Sequence, residues 1–533
     1  MQLHFLDWTI IILYLIGMIG LSFFLAKGQK NKKDYYLGGN NTGAWPIAIS
    51  TMATQCSTNS ILGAPAFVAF SIGGGMLWLQ YELAVPFAMI FLMIFLLPLY
   101  RKLGIISVYA YLEKRFDKKT RLSLSLLFQF IRAFATGVTV YGISIVIAYC
   151  TGISFTLAVI MLGVITIIYD SIGGMKAVIY SDVIQMIILY LAIFITIFVA
   201  ISLCGGFSET LASFSSQRMR AIDFSSAGFD GNSFTFLPML IGGFFLYVSY
   251  YGCDQSQVQR ELSTKSVDDT NKALFLNGIL RFPLVLTYCF LGICIGAYVA
   301  KHPEFIKLLP LENGNPNYNL SVPVFVIKYF PIGAVGLVMV GLFSAAMSSL
   351  DSTINSLSAT TMQDVFKSYL QKDFSEKQEL LASKALTIFW GSVCTFFAFY
   401  VGNISDSIIV SMNKIGSLAN GPILGVFLLG ILTQKVNGTG AITGLVLGFM
   451  TNVIFWVFIP DVSWPWWNVI GCLICFGIGY LSTIFKTETK EVEQYTFKHF
   501  QKNSKDIFKT DWKKYYYILA IWGLFIFTLC LLF

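Results

Sequence analysis

Ser344, Ser348, Asp351, Ser352 and Asn355 lie within GLFSAAMSSLDSTINS (Gly341 to Ser356), at i, i+3 and i+4 spacing. On a helix that spacing gathers them into one polar stripe. Small residues permit close helix packing, so the serines alone indicate no more than a tight contact. Packing does not explain Asp351, because a carboxylate at membrane depth costs about 2.5 kcal/mol or more to insert. Hydroxyls, a carboxylate and carbonyls freed from a broken helix can replace the water around a hard monovalent cation. Sodium is the expected ion.

Glu82, Arg132, Asp182, Asp351 and Lys414 also fall inside apolar runs. Such groups line a pathway or site, or else pair and snorkel. The long stem of Lys414 suits snorkelling, and Glu82 stands open between the two readings. Arg132 lies well inside LFQFIRAFATGV. It invites an anionic ligand, whose carboxylate its planar fork would meet bidentately, or a permanent salt bridge with Glu82 as the available acid.

The elements that would position these groups are membrane helices. Of the 533 residues 56% are hydrophobic and only 12% charged, and apolar runs long enough to span recur throughout. The run Trp8 to Leu25 is not followed by a small-residue cleavage site, so a spanning helix is expected there rather than a removed leader. About fourteen spans are expected, at 8–26, 45–70, 76–99, 122–150, 153–170, 176–204, 235–256, 276–300, 322–365, 382–402, 405–433, 438–459, 465–485 and 514–533. Lysine and arginine concentrate in alternate loops, from KGQKNKK to KTETKEVEQYTFKHF, which predicts both termini outside. The net charge of +8 therefore indicates membrane topology, not a nucleic acid partner. The ten cysteines lie almost all in apolar runs and read as packing residues, Cys472 and Cys475 included.

Two spans look broken. The middle of the second, TQCSTNS, is too polar for a continuous lipid-exposed helix, and the seventh carries a Gly pair before VSYYGCDQSQ. They occupy matching places if spans 2–6 and 7–11 are inverted halves, the arrangement that marks a transporter's midplane site.

The chain resembles the sodium/solute symporter family, with its leucine-transporter-type inverted repeat. The motifs are SAAMSSLDSTINSLS for the eighth core helix, GGMKAVIYSDVIQ leading into the fifth, DQSQVQRELSTKS after the sixth and NKIGSLANGPILGVFLLG for the tenth. The match runs from Asp7 to about Phe485. It implies an all-α polytopic protein with a five-plus-five core whose first and sixth core helices are broken. One transporter domain would cover 1–533, with an extra helix at 8–26, repeats at 45–204 and 235–433, and C-terminal helices at 438–533.

The resemblance also implies a sodium site of Ala53, Cys56 and Ala345 carbonyls with Ser348 and Ser349 hydroxyls. Some members hold a second sodium, which here would fall on Asp182, Ser348, Asp351 and Ser352. Asp351 departs from the hydroxyl usual at its position. Gln55, Ser57, Asn59, Ser60, Gln80, Arg132 and Tyr247 are the implied solute contacts, and Tyr250 takes the place of an inner aromatic gate. Arg132 resembles the arginine with which sialic acid transporters of the family hold a carboxylate.

The function expected is sodium-coupled import of a carboxylate-bearing solute, such as sialic acid or a monocarboxylate, by alternating access. A sugar or polyol is the alternative solute, and a channel or sensor the alternative class. An intramembrane enzyme is disfavoured, because His4, His302 and His499 lie in loops or termini and offer no histidine metal cluster or buried base. The expected partners are the solute and the bilayer, with no obligatory protein partner, and the expected location is a bacterial inner membrane.

Overall fold

A helix needs about 20 apolar residues to cross the roughly 30 Å hydrocarbon layer, and its backbone groups bond internally there. A computed structural model describes residues 3–56, 58–312, 314–400, 408–484, 492–503 and 507–532. Among them, eleven helices are long and apolar enough to cross a membrane, giving an all-helical, multi-pass protein. The helices that frame the site are α1 (Phe5–Ala26), α2 (Lys32–Leu37), α3 (Ala44–Gln55), α4 (Thr58–Ala69), α5 (Met76–Leu103), α6 (Lys118–Thr151), α7 (Phe155–Leu203) and α8 (Gly243–Cys253). They continue as α9 (Gln255–Leu262), α10 (Val267–Lys301), α11 (Ala334–Tyr369), α12 (Glu376–Phe397), α13 (Ile408–Leu432), α14 (Gly438–Phe458), α15 (Trp464–Leu481) and α16 (Lys513–Leu531).

Eleven, rather than the expected fourteen, has a physical reason. The expected spans 45–70 and 235–256 are broken into pieces too short to cross alone, and 153–170 with 176–204 are merged in α7. At about 1.5 Å per residue the 49 residues of α7 would reach about 74 Å, more than twice the hydrocarbon layer. The helix does not run straight through: Gly174 has φ 58° and ψ −162°. A side chain there would also put its Cβ 2.6 Å from the Tyr35 carbonyl oxygen, so glycine is required twice over. Carbonyls at the break find new donors, Ser22 for Tyr169 and Gln29 for Gly173.

Three boundaries correct the sequence expectation. The run 322–365 is not one span: a short helix, Ser321–Tyr329, ends before Pro331, and α11 begins only at Ala334. Asp7, near the start of α1, accepts the Gly333 and Gly336 amides at 2.8 and 2.7 Å, placing a carboxylate on the open N-terminus of α11. The expected loop DQSQVQRELSTKS is mostly helix α9, and every residue from Gln255 to Leu262 is buried. The expected loop KGQKNKKDYYLGGNN contains α2, whose Tyr35 and Tyr36 are buried and reach Thr387 and Ser358 at 2.9 Å.

Helix α11 is the central post, packed against α1, α3, α6, α7, α9 and α12. A second group, α13 with α14 and α15, packs against α8. The ten cysteines are free and buried.

Candidate ion and solute site

Helix α3 ends at Gln55, and Cys56 leaves the helix with φ −77° and ψ 61° before α4 resumes at Thr58. Opening a helix here exposes carbonyls that no downstream amide can reach. Helix α11 meets that end. Ser349 Oγ donates to the Thr54 and Ala345 carbonyls, each at 3.3 Å, and Thr54 Oγ1 shares a 3.0 Å hydrogen bond with Ser352. The unwound segment and the hydroxyl-bearing helix are thus in contact. Ala53 and Cys56 are buried beside them. Neutral carbonyl and hydroxyl oxygens make a donor set suited to sodium. Thr54 was missing from the sequence reading.

Ser348 donates a hydrogen bond to a carboxylate. Its hydroxyl donates to Asp182 Oδ1, while Ser50 donates to Oδ2. Asp351, four residues after Met347 on α11, accepts from Tyr169 and, at 3.0 Å, from Ser352. Between these groups lies Arg260 of α9, wholly buried, bonded to Ser50 at 2.8 Å, to Asp182 at 3.3 Å and to Ser352. Asp170 is also buried here and takes the Asn355 amide at 3.2 Å. Of these three carboxylates Asp182 is the one bonded to the guanidinium, and Asp351 is linked to it through Ser352. The four residues of the second sodium set come together, with a fixed cation already among them.

A cavity opens beside the break, lined by residues of α3 to α6, α8, α10, α11 and α13. Gln55, Ser60, Arg132, Tyr247 and Tyr250 line it, as do Thr54 and Ser349 of the ion cluster. Tyr251 donates to Gln55, and Tyr247 donates to Glu82 at 2.8 Å. Tyr250 lies under the Arg132 guanidinium at 5.0 Å and accepts from Gln257 at 2.7 Å. Arg132 pairs with Asp254 at 2.6 Å and donates to Ser256 at 3.0 Å. Glu82 pairs instead with Arg281 of α10, at 3.1 Å. Asp254, Arg260 and Arg281 were all missed by the sequence reading. Arg281 was findable, since LNGILRFPLVLTY sets an arginine in an apolar run.

Gln80 does not line the cavity. It donates to the Leu77 and Phe234 carbonyls at 3.0 and 2.9 Å and accepts the Asp223 amide at 2.9 Å. Its amide is spent on holding the 223–234 loop. Ser57 and the Asn59 side chain lie outside the described residues. Lys414 sits over the rings of Trp456 and Trp467 at 5.7 and 5.6 Å, a stem-and-ring contact in keeping with a structural role.

Comparison with known proteins adds to this geometry. The model of the sodium:solute symporter family matches residues 35–448. The chain is 30% identical over 492 residues to the sodium/sialic acid symporter NanT of Aliivibrio fischeri, covering 92% of this chain and 95% of that one. It is 30% identical over 456 residues to the sodium-coupled monocarboxylate transporter 1 of Xenopus laevis, covering 85% and 71%. A solved Na+-coupled sialic acid symporter in a substrate-bound outward-open state superposes with a TM-score of 0.82 at 26% identity, covering 92% and 99%.

Proposed function

The chain belongs to the sodium:solute symporter family, with sodium as its coupling ion, and from that premise we propose that it imports a carboxylate-bearing solute, a sialic acid or a monocarboxylate. The observation that carries the solute class is Arg132, whose guanidinium reaches the cavity over the ring of Tyr250. Relatives that are sialic acid and monocarboxylate symporters support the same class. A sugar or polyol is the second reading, favoured by Gln55, whose amide lies on the cavity wall.

In the proposed cycle, sodium binds between the end of α3 and α11, through Ala53, Cys56 and Ala345 carbonyls with Ser348 and Ser349. This fixes the break that carries Gln55 and Ser60 at the solute. Ser57 and Asn59 belong to that solute wall, and Tyr250 is the inner gate. The halves 45–204 and 235–433 form the inverted repeats, and counting each broken helix as one crossing and α7 as two gives fourteen. Both termini face outside, and the bilayer is a bacterial inner membrane. No obligatory protein partner takes part.

Energetics favour two ions. One sodium moving down about −100 mV releases about 2.3 kcal/mol, and a tenfold gradient adds about 1.4 kcal/mol. A monoanion moving with one sodium crosses electroneutrally and gains only the gradient part, about tenfold accumulation. With two, the sum of about 5 kcal/mol supports accumulation on the order of 10³–10⁴. The second ion is assigned to Asp182, Ser348, Asp351 and Ser352, where Arg260 pairs with Asp182 while Asp351 accepts from the neutral donors Tyr169 and Ser352.

The test is uptake of labelled N-acetylneuraminate and lactate into proteoliposomes, with and without a sodium gradient, for the wild type and Arg132→Ala. Sodium-driven uptake that Arg132→Ala abolishes supports the reading. Uptake of neutral sugars alone, or carboxylate uptake indifferent to Arg132→Ala, refutes it.

A further inference from the structure

Two ion pairs line the cavity, and they are not equally sealed. The Glu82–Arg281 side chains are 1% and 4% exposed, whereas Asp254 and Arg132 are 12% and 19% exposed. A solute entering the cavity can therefore reach only the second pair without unpacking the wall. There the chain has placed a carboxylate of its own on the guanidinium. Asp254 takes Nε and Ser256 takes Nη2, which fills one of the two edges on which an arginine receives a carboxylate bidentately.

Asp254 also stands at a hinge. It is the single residue between α8 and α9, extended at φ −90° and ψ 120°, and it caps α9 through Oδ1, which accepts the Ser256 amide at 2.8 Å. One oxygen thus holds the helix start while the other holds Arg132. A change in the angle between α8 and α9 would carry the carboxylate toward or away from the guanidinium.

We infer that Asp254 is an internal competitor for the solute's carboxylate: it yields Arg132 when solute binds and takes it back to expel solute. The inference rests on the carboxylate reading given above. Its physical motive is that Arg132 is never left at membrane depth without a counter-charge, so release does not require exposing a bare cation. The two states differ in which carboxylate is on the arginine, and the tilt of α9 selects between them.

Asp254→Asn tests it, because asparagine keeps the oxygen that caps α9 and removes only the charge. Solute binding is measured by calorimetry in saturating sodium with N-acetylneuraminate and with lactate, for wild type, Asp254→Asn and Arg132→Ala, alongside sodium-induced thermal stabilisation as a check on folding. If Arg132 is paired with Asp254 in about nine of ten empty molecules, removing the competitor tightens carboxylate binding about tenfold. Net uptake should fall while binding improves, a split that loss of structure would not produce. Unchanged or weaker binding in Asp254→Asn, with Arg132→Ala still losing the solute, overturns the inference and leaves the carboxylate reading standing. Binding indifferent to Arg132→Ala, or no carboxylate bound by any variant, overturns both. Should Asp254→Asn lose its sodium-induced stabilisation, Ser256→Ala, which frees Nη2, must tighten binding in the same direction or the inference falls.

Discussion

Glu82 and Arg281 offer the sharpest energetic test of the cavity wall. Glu82 accepts Arg281 Nε at 3.1 Å and Tyr247 at 2.8 Å, and both charged side chains are almost wholly buried. At an effective dielectric of about 20, two unit charges 3.1 Å apart attract by about 5 kcal/mol. Desolvation offsets much of that in the intact pair, but removing one partner leaves the other charge buried alone. Glu82→Gln and Arg281→Gln should each destabilise by about 3–5 kcal/mol. The double variant should recover about 1–3 kcal/mol relative to the sum of the singles. The assay is unfolding in mild detergent, followed by tryptophan fluorescence against denaturant, for the four proteins of the cycle. Additive singles, within about 0.5 kcal/mol, would refute the claim that the two charges neutralise each other.

Three further outcomes are expected. Ser349→Ala removes the hydroxyl that bridges the Thr54 and Ala345 carbonyls and should raise half-saturating sodium about tenfold, read from the sodium dependence of uptake; with Ser348→Ala added, sodium-driven uptake should vanish. Asp182→Asn should lower the sodium Hill coefficient of uptake toward one, and an unaltered coefficient removes Asp182 from the ligand set. Gly174→Ala drives a Cβ to 2.6 Å from the Tyr35 carbonyl in a backbone region that disfavours side chains, so a loss of about 2 kcal/mol or more and poor yield of folded protein are expected by size-exclusion chromatography.

The broken second span and the polar stripe on α11 were legible because the run TQCSTNS and a carboxylate among serines stand out against lipid-facing sequence. Their meeting at Ser349 and Thr54 was reachable only through the family resemblance, because no local pattern says which helix packs on which. Helix α9 was illegible for the opposite reason. Gln255, Gln259, Arg260 and Glu261 look like a solvated loop, yet all are buried, because polar partners from α2, α3, α7, α11 and the Ile106–Val108 backbone surround them. Hydropathy weighs a residue against lipid or water and cannot see a polar interior. Partner choice was equally hidden. Glu82 was the acid at hand for Arg132 along the sequence, but folding gave it to Arg281 and gave Arg132 to Asp254. The 322–365 run misled because apolar residues continue across Pro331, where backbone geometry and not hydrophobicity ends the short helix.

Gln80 sits between Trp78 and Tyr81, both on the cavity wall, while its own amide grips the backbone at Asp223 and Phe234. A single turn of α5 is thus a wall on one side and a tether on the other. Any tilt of that turn that widens the chamber must drag the 223–234 strap with it, and any pull on the strap is felt among the aromatic rings within. The two faces of this short rod make the strap and the shape of the chamber one mechanical unit.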